Sequence, residues 1–79
     1  MSHSGTEQKL VMMANQIARA FEAQGEEKAV PMIHDHIVQF WDPRMRRQMN
    51  AHILAGGDGL LPTALAALKP DAEASRTAA

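Results

Sequence analysis

Two features together most limit the folds open to this chain: it has only 79 residues, and none of them is cysteine. A chain of this length buries only about 60% of the surface that it exposes when unfolded, so it cannot form a large core. Without cysteine it can form no disulfide bond, ligate no iron–sulfur cluster and offer no thiolate nucleophile. We therefore expect a soluble intracellular domain that is stabilised by the packing of its secondary structure.

The composition favours helices over strands. Apolar residues make up 46% of the chain and include six Met, whereas aromatic residues make up 4% and Tyr is absent. The aromatic and β-branched residues that favour strands are sparse. The fold class that we predict is all-α, a compact small bundle of three helices plus a short fourth helix at the C-terminal end.

Glycine and proline mark where these helices begin and end. The first helix begins near Ser4 or Thr6 and stops before Gly25, and the second has its body at residues 30–40. Asp42 and Pro43 suit the cap and first position of a third helix, which runs to about residue 55.

A Gly-Gly pair ends the third helix, and the short fourth helix spans about residues 61–69. We predict a flexible tail over residues 1–5, a single helical domain over residues 6–69 and a disordered tail over residues 70–79.

Helical wheels separate a core face from residues that lie off it. The core stripe of the first helix contains Leu10, Met13, Ala14, Ile17, Phe21 and Gln24. Phe40 is assigned to the core on the second helix. The candidate interface for a protein partner contains the remaining apolar, amide and arginine side chains, namely Met12, Asn15, Gln16, Arg19, Trp41, Arg44, Arg46 and Arg47. The alternative assigns Trp41 to the core and Asn15 to hydrogen bonding at the junction of helices two and three.

Other chemistries have weaker support in the residues. His34 and His36 are two apart on a helix and diverge by about 200°, so they cannot converge with His52 on one metal ion. Serine occurs only near the ends of the chain, where a reacting group is poorly positioned. No apolar run approaches the 18 residues that a membrane span needs, and no secretory signal is present. We therefore expect a cytoplasmic chain with no catalytic, cofactor or metal site and no membrane contact.

The arginines leave one further alternative, a small helical DNA-binding regulator that uses helix three as its recognition helix. The net charge of −1 counts against it, because nucleic-acid affinity depends largely on phosphate neutralisation. We therefore prefer a protein partner and expect no nucleic-acid partner.

Four segments resemble a known family. They are residues 9–17 (KLVMMANQI), 36–46 (HIVQFWDPRMR), 51–52 (AH) and 55–60 (AGGDGL). In this order they are similar to the delta subunit of the soluble NAD-dependent molybdenum formate dehydrogenases, over residues 9–68. The sequence departs at residues 61–62, where Leu-Pro stands and the family often has Asp-Pro, which weakens the cap of the fourth helix.

The resemblance implies an accessory subunit of an enzyme that oxidises formate to carbon dioxide and reduces NAD. In such enzymes the large alpha subunit carries bis-molybdopterin guanine dinucleotide and iron–sulfur clusters, and the beta and gamma subunits carry FMN, further clusters and the NAD site. The resemblance implies no cofactor in the delta subunit, a role in assembly or stability of the complex and in cofactor insertion into the alpha subunit. It also implies the alpha, beta and gamma subunits as partners. Self-association of the isolated chain remains open.

Overall fold

Four α-helices and the turns between them form the described part of the chain. The computed structural model describes residues 2–77, and the side chains of residues 6–76. The helices are α1 (Ser2–Phe21), α2 (Glu26–Phe40), α3 (Pro43–Leu54) and α4 (Pro62–Thr77), with a 3₁₀ turn (Glu22–Gln24) between α1 and α2. No strand is present in these residues, so the predicted all-α helical bundle is confirmed.

The breaks between the first three helices follow from local sequence. Gly25 has a φ of 89°, which glycine adopts without a steric penalty, and two glutamates occupy the first turn of α2. Negative charge there is favoured by the helix dipole. At the next break, Asp42 Oδ1 accepts a hydrogen bond from the Met45 N–H at 2.9 Å, and Pro43 is the first residue of α3. The predicted cap and start of this helix are confirmed.

The end of α3 is closed by a Schellman motif. The Gly57 N–H donates to the His52 carbonyl at 2.9 Å, and the Gly56 N–H donates to the Ile53 carbonyl at 3.0 Å. Gly56 has a φ of 130° and Gly57 a φ of 66°, so both positions favour glycine. The chain then turns through residues 55–61, which we call the α3–α4 loop, and begins α4.

All four helices contribute to one core. On α1 the fully buried residues recur every fourth position, and the same spacing recurs on α2. Alanine is common among them, which allows the helices to approach closely. The buried apolar residues are Leu10, Ala14, Ala18, Ala29, Ile33, Ile37, Trp41, Met49, Ile53, Ala64, Ala67, Leu68 and Ala72. The predicted stripe on α1 is therefore rotated towards Ala18, and Met13, Ile17 and Phe21 are only partly buried.

The first and fourth helices extend beyond their predicted bounds. α1 begins at Ser2, so residues 2–5 belong to this helix, and Met1 lies outside the described residues. α4 continues through Pro70 to Thr77, so it is longer than the short helix predicted over residues 61–69, and residues 78–79 lie outside the described part. Proline inside a helix costs about 3 kcal/mol. Tertiary contacts beyond it offset this cost, because Ala72 is fully buried.

The predictions for Phe40 and Trp41 are reversed by the structure. Trp41 is only 6% exposed and belongs to the core, whereas Phe40 is 65% exposed. The reason is that α2 ends at Phe40, and Trp41 has an extended backbone with φ −89° and ψ 139°. A helical wheel cannot place a side chain that follows the last helical residue. The alternative that assigned Trp41 to the core is the one that the structure supports.

Candidate protein-binding groove

An apolar groove lies where α1, α2 and the start of α3 meet. It encloses about 470 Å³. Helix α1 contributes Met13, Gln16, Ile17 and Ala20, α2 contributes His36 and Phe40, and the corner and α3 contribute Trp41 and Met45. Gln16 and His36 are the polar members of this set. We call this feature the groove.

Three rings form a row beside the groove. The Phe21 ring meets the His36 ring edge-on at a centroid distance of 6.1 Å, and His36 lies against Phe40 at 4.6 Å. These distances are within the range of favourable ring contacts. Phe40 is 65% exposed, which is the highest value among the exposed large hydrophobic residues. The ring contact with His36 therefore leaves most of Phe40 open to solvent.

A second line of side chains runs along α2. Met32, His36 and Phe40 are four residues apart, so they lie on one face of this helix. Met32 is 36% exposed. The sequence contained this signal as a spacing of four, but α2 is apolar on more than one face, so the wheel placed Phe40 inside.

Three of the predicted interface residues make contacts inside the fold. Trp41 is in the core and reaches the groove only at its lining. Asn15 donates from Nδ2 to the Gly59 carbonyl at 3.0 Å and accepts at Oδ1 from the Leu61 N–H at 2.9 Å. Arg46 is half-buried and its guanidinium lies 3.5 Å from Asp71 Oδ2. The amide of Asn15 thus holds the α3–α4 loop, and not the junction of α2 and α3 that the alternative named.

The other five predicted interface residues are exposed. Met12 is 56% exposed, and Gln16 lies at the groove on the same helix. Arg19 lies at a separate depression with Pro62 at the start of α4. Arg44 and Arg47 are exposed on α3. The fold therefore brings Gln16 to the groove, and these five remain predicted partner contacts.

Exposed basic side chains lie on α1 and α3. Lys9 precedes Met13 by one helical turn on α1, and Arg44 and Arg47 lie in the first half of α3. Among the described residues, no ion pair involves Lys9, Arg44 or Arg47. None of the three lines the groove, and the exposed carboxylate of Asp42 is two residues from Arg44.

The histidines have structural contacts. His34 Nε2 lies 2.9 Å from Asp71 Oδ2, and His52 Nε2 lies 2.8 Å from the Asp58 carbonyl oxygen, to which it donates. In the described part of the chain, no three His, Asp or Glu side chains come together in a way that could hold a metal ion. Nor does any helix among those residues have the length and apolar character to cross a membrane.

Fold and groove together define a small helical protein with an open, mainly apolar groove between α1, α2 and the start of α3. The model of the FdsD family, described as the NADH-dependent formate dehydrogenase delta subunit, matches residues 9–68. This match covers about three quarters of the chain, and the chain belongs to that family. All groove residues lie within the match, whereas α4 after Leu68 lies outside it. Neither the curated proteins nor the solved structures gave a match.

Proposed function

We propose that this chain is a non-catalytic accessory subunit that binds the large alpha subunit of a cytoplasmic NAD-dependent formate dehydrogenase and supports assembly and stability of the complex. Membership of the delta-subunit family supports the assignment of this chain to a formate dehydrogenase complex. The observation that carries the binding role is the groove, where Phe40 is 65% exposed and in ring contact with His36.

The energetics of the groove favour a protein partner. Complete burial of a Phe side chain stabilises a complex by about 1.5 to 3 kcal/mol relative to an exposed one. Partly buried Met13, Ile17 and Met45 line the same groove, and methionine adapts its shape to a partner surface. A few aromatic anchors of this kind commonly supply most of the binding energy of an interface.

A bound accessory subunit stabilises its partner by mass action. If the partner's folded form alone binds this chain, its stability rises by about 2.7 kcal/mol when the free chain is present at 100 times Kd. Covering apolar surface on a large subunit also removes a route to aggregation during assembly. In this proposal the chain has no cofactor, and electron transfer belongs to bis-molybdopterin guanine dinucleotide, iron–sulfur clusters and FMN on the alpha, beta and gamma subunits.

The proposal is tested by producing the enzyme complex with and without this chain in the same cells. We expect the tagged chain to co-purify with the alpha subunit, and the yield of intact complex to fall several-fold when the chain is omitted. Equal yield and equal thermal stability without the chain would contradict the role in assembly.

A separate measurement tests whether the chain takes part in inserting the molybdenum cofactor. Molybdenum is quantified per alpha subunit in complexes made with and without the chain, after correction for the amount of assembled protein. A lower molybdenum content without the chain supports a role in insertion. An unchanged ratio with a lower yield restricts the role to assembly and stability. The stoichiometry of the chain in the purified enzyme shows whether it stays bound.

A further inference from the structure

We propose that protonation of His34 strengthens the docking of the end of α4 against α2, so that pH controls how often this end opens. We call residues 71–77 of α4 the terminal segment. The inference goes beyond the proposed function, because it concerns an equilibrium within the chain itself. It follows from the position of Pro70, the exposure of the terminal segment and the two carboxylates that face the His34 ring.

Pro70 makes the terminal segment separable from the rest of α4. Proline has no N–H, so it cannot donate to the carbonyl four residues earlier, as other residues inside a helix do. Ala72 is fully buried, whereas residues 73–76 are exposed. A helix end with few buried contacts opens at a lower free-energy cost than the core. The side-chain contacts of Asp71, the first residue of the terminal segment, therefore influence how often it opens.

The ring of His34 faces a carboxylate on each side. Its Nε2 lies 2.9 Å from Asp71 Oδ2 on α4, and its Nδ1 lies 3.5 Å from Asp35 Oδ1 on α2. A neutral imidazole carries a proton on one nitrogen only, so its other nitrogen has no proton to donate. The imidazolium carries both protons, and a hydrogen bond between two charged groups is stronger than one with a neutral partner. The protonated ring therefore binds Asp71 more tightly than the neutral ring.

Arg46 of α3 is the other charged group at this contact. Its guanidinium lies 3.5 Å from the same oxygen of Asp71. Arginine keeps its charge at every pH at which proteins fold, so this contact holds the terminal segment independently of pH. Histidine is the side chain that ordinarily changes its charge between pH 5 and 8. Because the protonated ring is the better partner of Asp71, docking is strongest at the acidic end of this range and weakens as the pH rises.

The pH-dependent contribution is local and modest. The side chains of His34 and Asp71 are 35% and 33% exposed, so water screens their attraction. Amide hydrogen exchange measures such local opening residue by residue. We expect protection of residues 71–77 in the full chain to fall about 2- to 5-fold between about pH 5.5 and about pH 8, after correction for the intrinsic effect of pH on exchange. Protection of residues 64–68, which precede Pro70, should not follow this change.

Two histidine variants test the assignment to His34. His34→Gln keeps a polar side chain that gains no proton in this range, so protection of residues 71–77 should no longer depend on pH. His36→Gln is the matched control on the same helix, because the His36 ring contacts Phe21 and Phe40. This control should retain the pH dependence of the wild type.

Asp71→Asn tests the partner of the ring. It replaces the carboxylate with a neutral amide, so the pH dependence at residues 71–77 should be lost even though His34 is still present. A wild-type chain whose terminal segment is equally protected at both pH values would overturn the inference. A fall in His34→Gln or Asp71→Asn as large as that in the wild type would do so too. Protection of residues 64–68 shows in each variant that the rest of α4 remains folded.

Discussion

The groove and the α3–α4 loop differ in how far their side chains make contacts within the fold. In the loop, Asn15 contacts the backbone of Gly59 and Leu61, and His52 contacts the carbonyl of Asp58. In the groove, Phe40 is 65% exposed. The difference shows that polar side chains which look available in the sequence make contacts within the fold, whereas an apolar side chain that was predicted to be internal is exposed.

The sharpest test of this comparison uses the two adjacent aromatic residues at the corner. Trp41→Ala should lower the free energy of unfolding by about 3 to 5 kcal/mol, because it empties a core position that is only 6% exposed. Phe40→Ala should change it by less than about 1 kcal/mol, since most of the ring is already in water. Urea denaturation followed by far-ultraviolet circular dichroism measures both.

A conservative substitution keeps this test informative if Trp41→Ala fails to fold. Trp41→Phe retains an aromatic ring and should fold with a smaller loss, about 1 to 2 kcal/mol. The comparison would fail if Phe40→Ala proved as destabilising as Trp41→Ala, because Phe40 would then be a core residue.

A second test removes the hydrogen bonds between Asn15 and the α3–α4 loop. Asn15→Ala removes both hydrogen bonds to the loop backbone and leaves the Leu61 N–H without its partner. We expect a loss of about 1 to 2 kcal/mol in the free energy of unfolding. The neighbouring Gln16→Ala is the control and should have little effect on stability. Equal stability of the two variants would show that the loop does not depend on the amide.

The parts of the fold that could be predicted from the sequence are those decided locally. The start of α3 follows from Asp42 and Pro43, and its end follows from Gly56 and Gly57, because caps and positive φ values depend on a few adjacent residues. These signals depend on residues that are close in the sequence and not on tertiary packing.

The parts that could not be predicted depend on tertiary packing. Trp41 lies beyond the last helical residue, so no periodicity describes its direction. Pro70 is a strong signal for a helix end, yet burial of Ala72 and the contacts of Asp71 keep α4 helical beyond it. Asn15 and Arg46 looked available because their partners are 46 and 25 residues away along the chain. The candidate site was therefore only partly predictable, through Gln16 and Trp41, the two predicted interface residues that line the groove.

A third test concerns the backbone of the loop. Gly56→Ala should cost about 1 kcal/mol, because Gly56 has a φ of 130° that an L side chain rarely adopts. An added Cβ would meet nothing within 4 Å, so the cost reports backbone strain alone. The adjacent Ala55→Gly, at a φ of −87°, is the control and should change stability by about 0.5 kcal/mol or less. A Gly56→Ala variant as stable as the wild type would show that the loop adopts another turn without loss.

The smallest expected effect concerns Asp71, which joins α4 to His34 of α2 and Arg46 of α3. Its side chain is 33% exposed, so water screens the pairs, and Asp71→Asn should lower global stability by only about 0.5 kcal/mol. The local effect should be clearer, since hydrogen exchange at residues 71–77 reports opening of the helix beyond Pro70. Faster exchange there, with no change in the exposed control Glu73→Gln, would show that these contacts hold this part of α4 in place. Unchanged exchange would instead show that burial of Ala72 stabilises α4 beyond Pro70. The α3–α4 loop would then be the region in which polar side-chain contacts stabilise the fold.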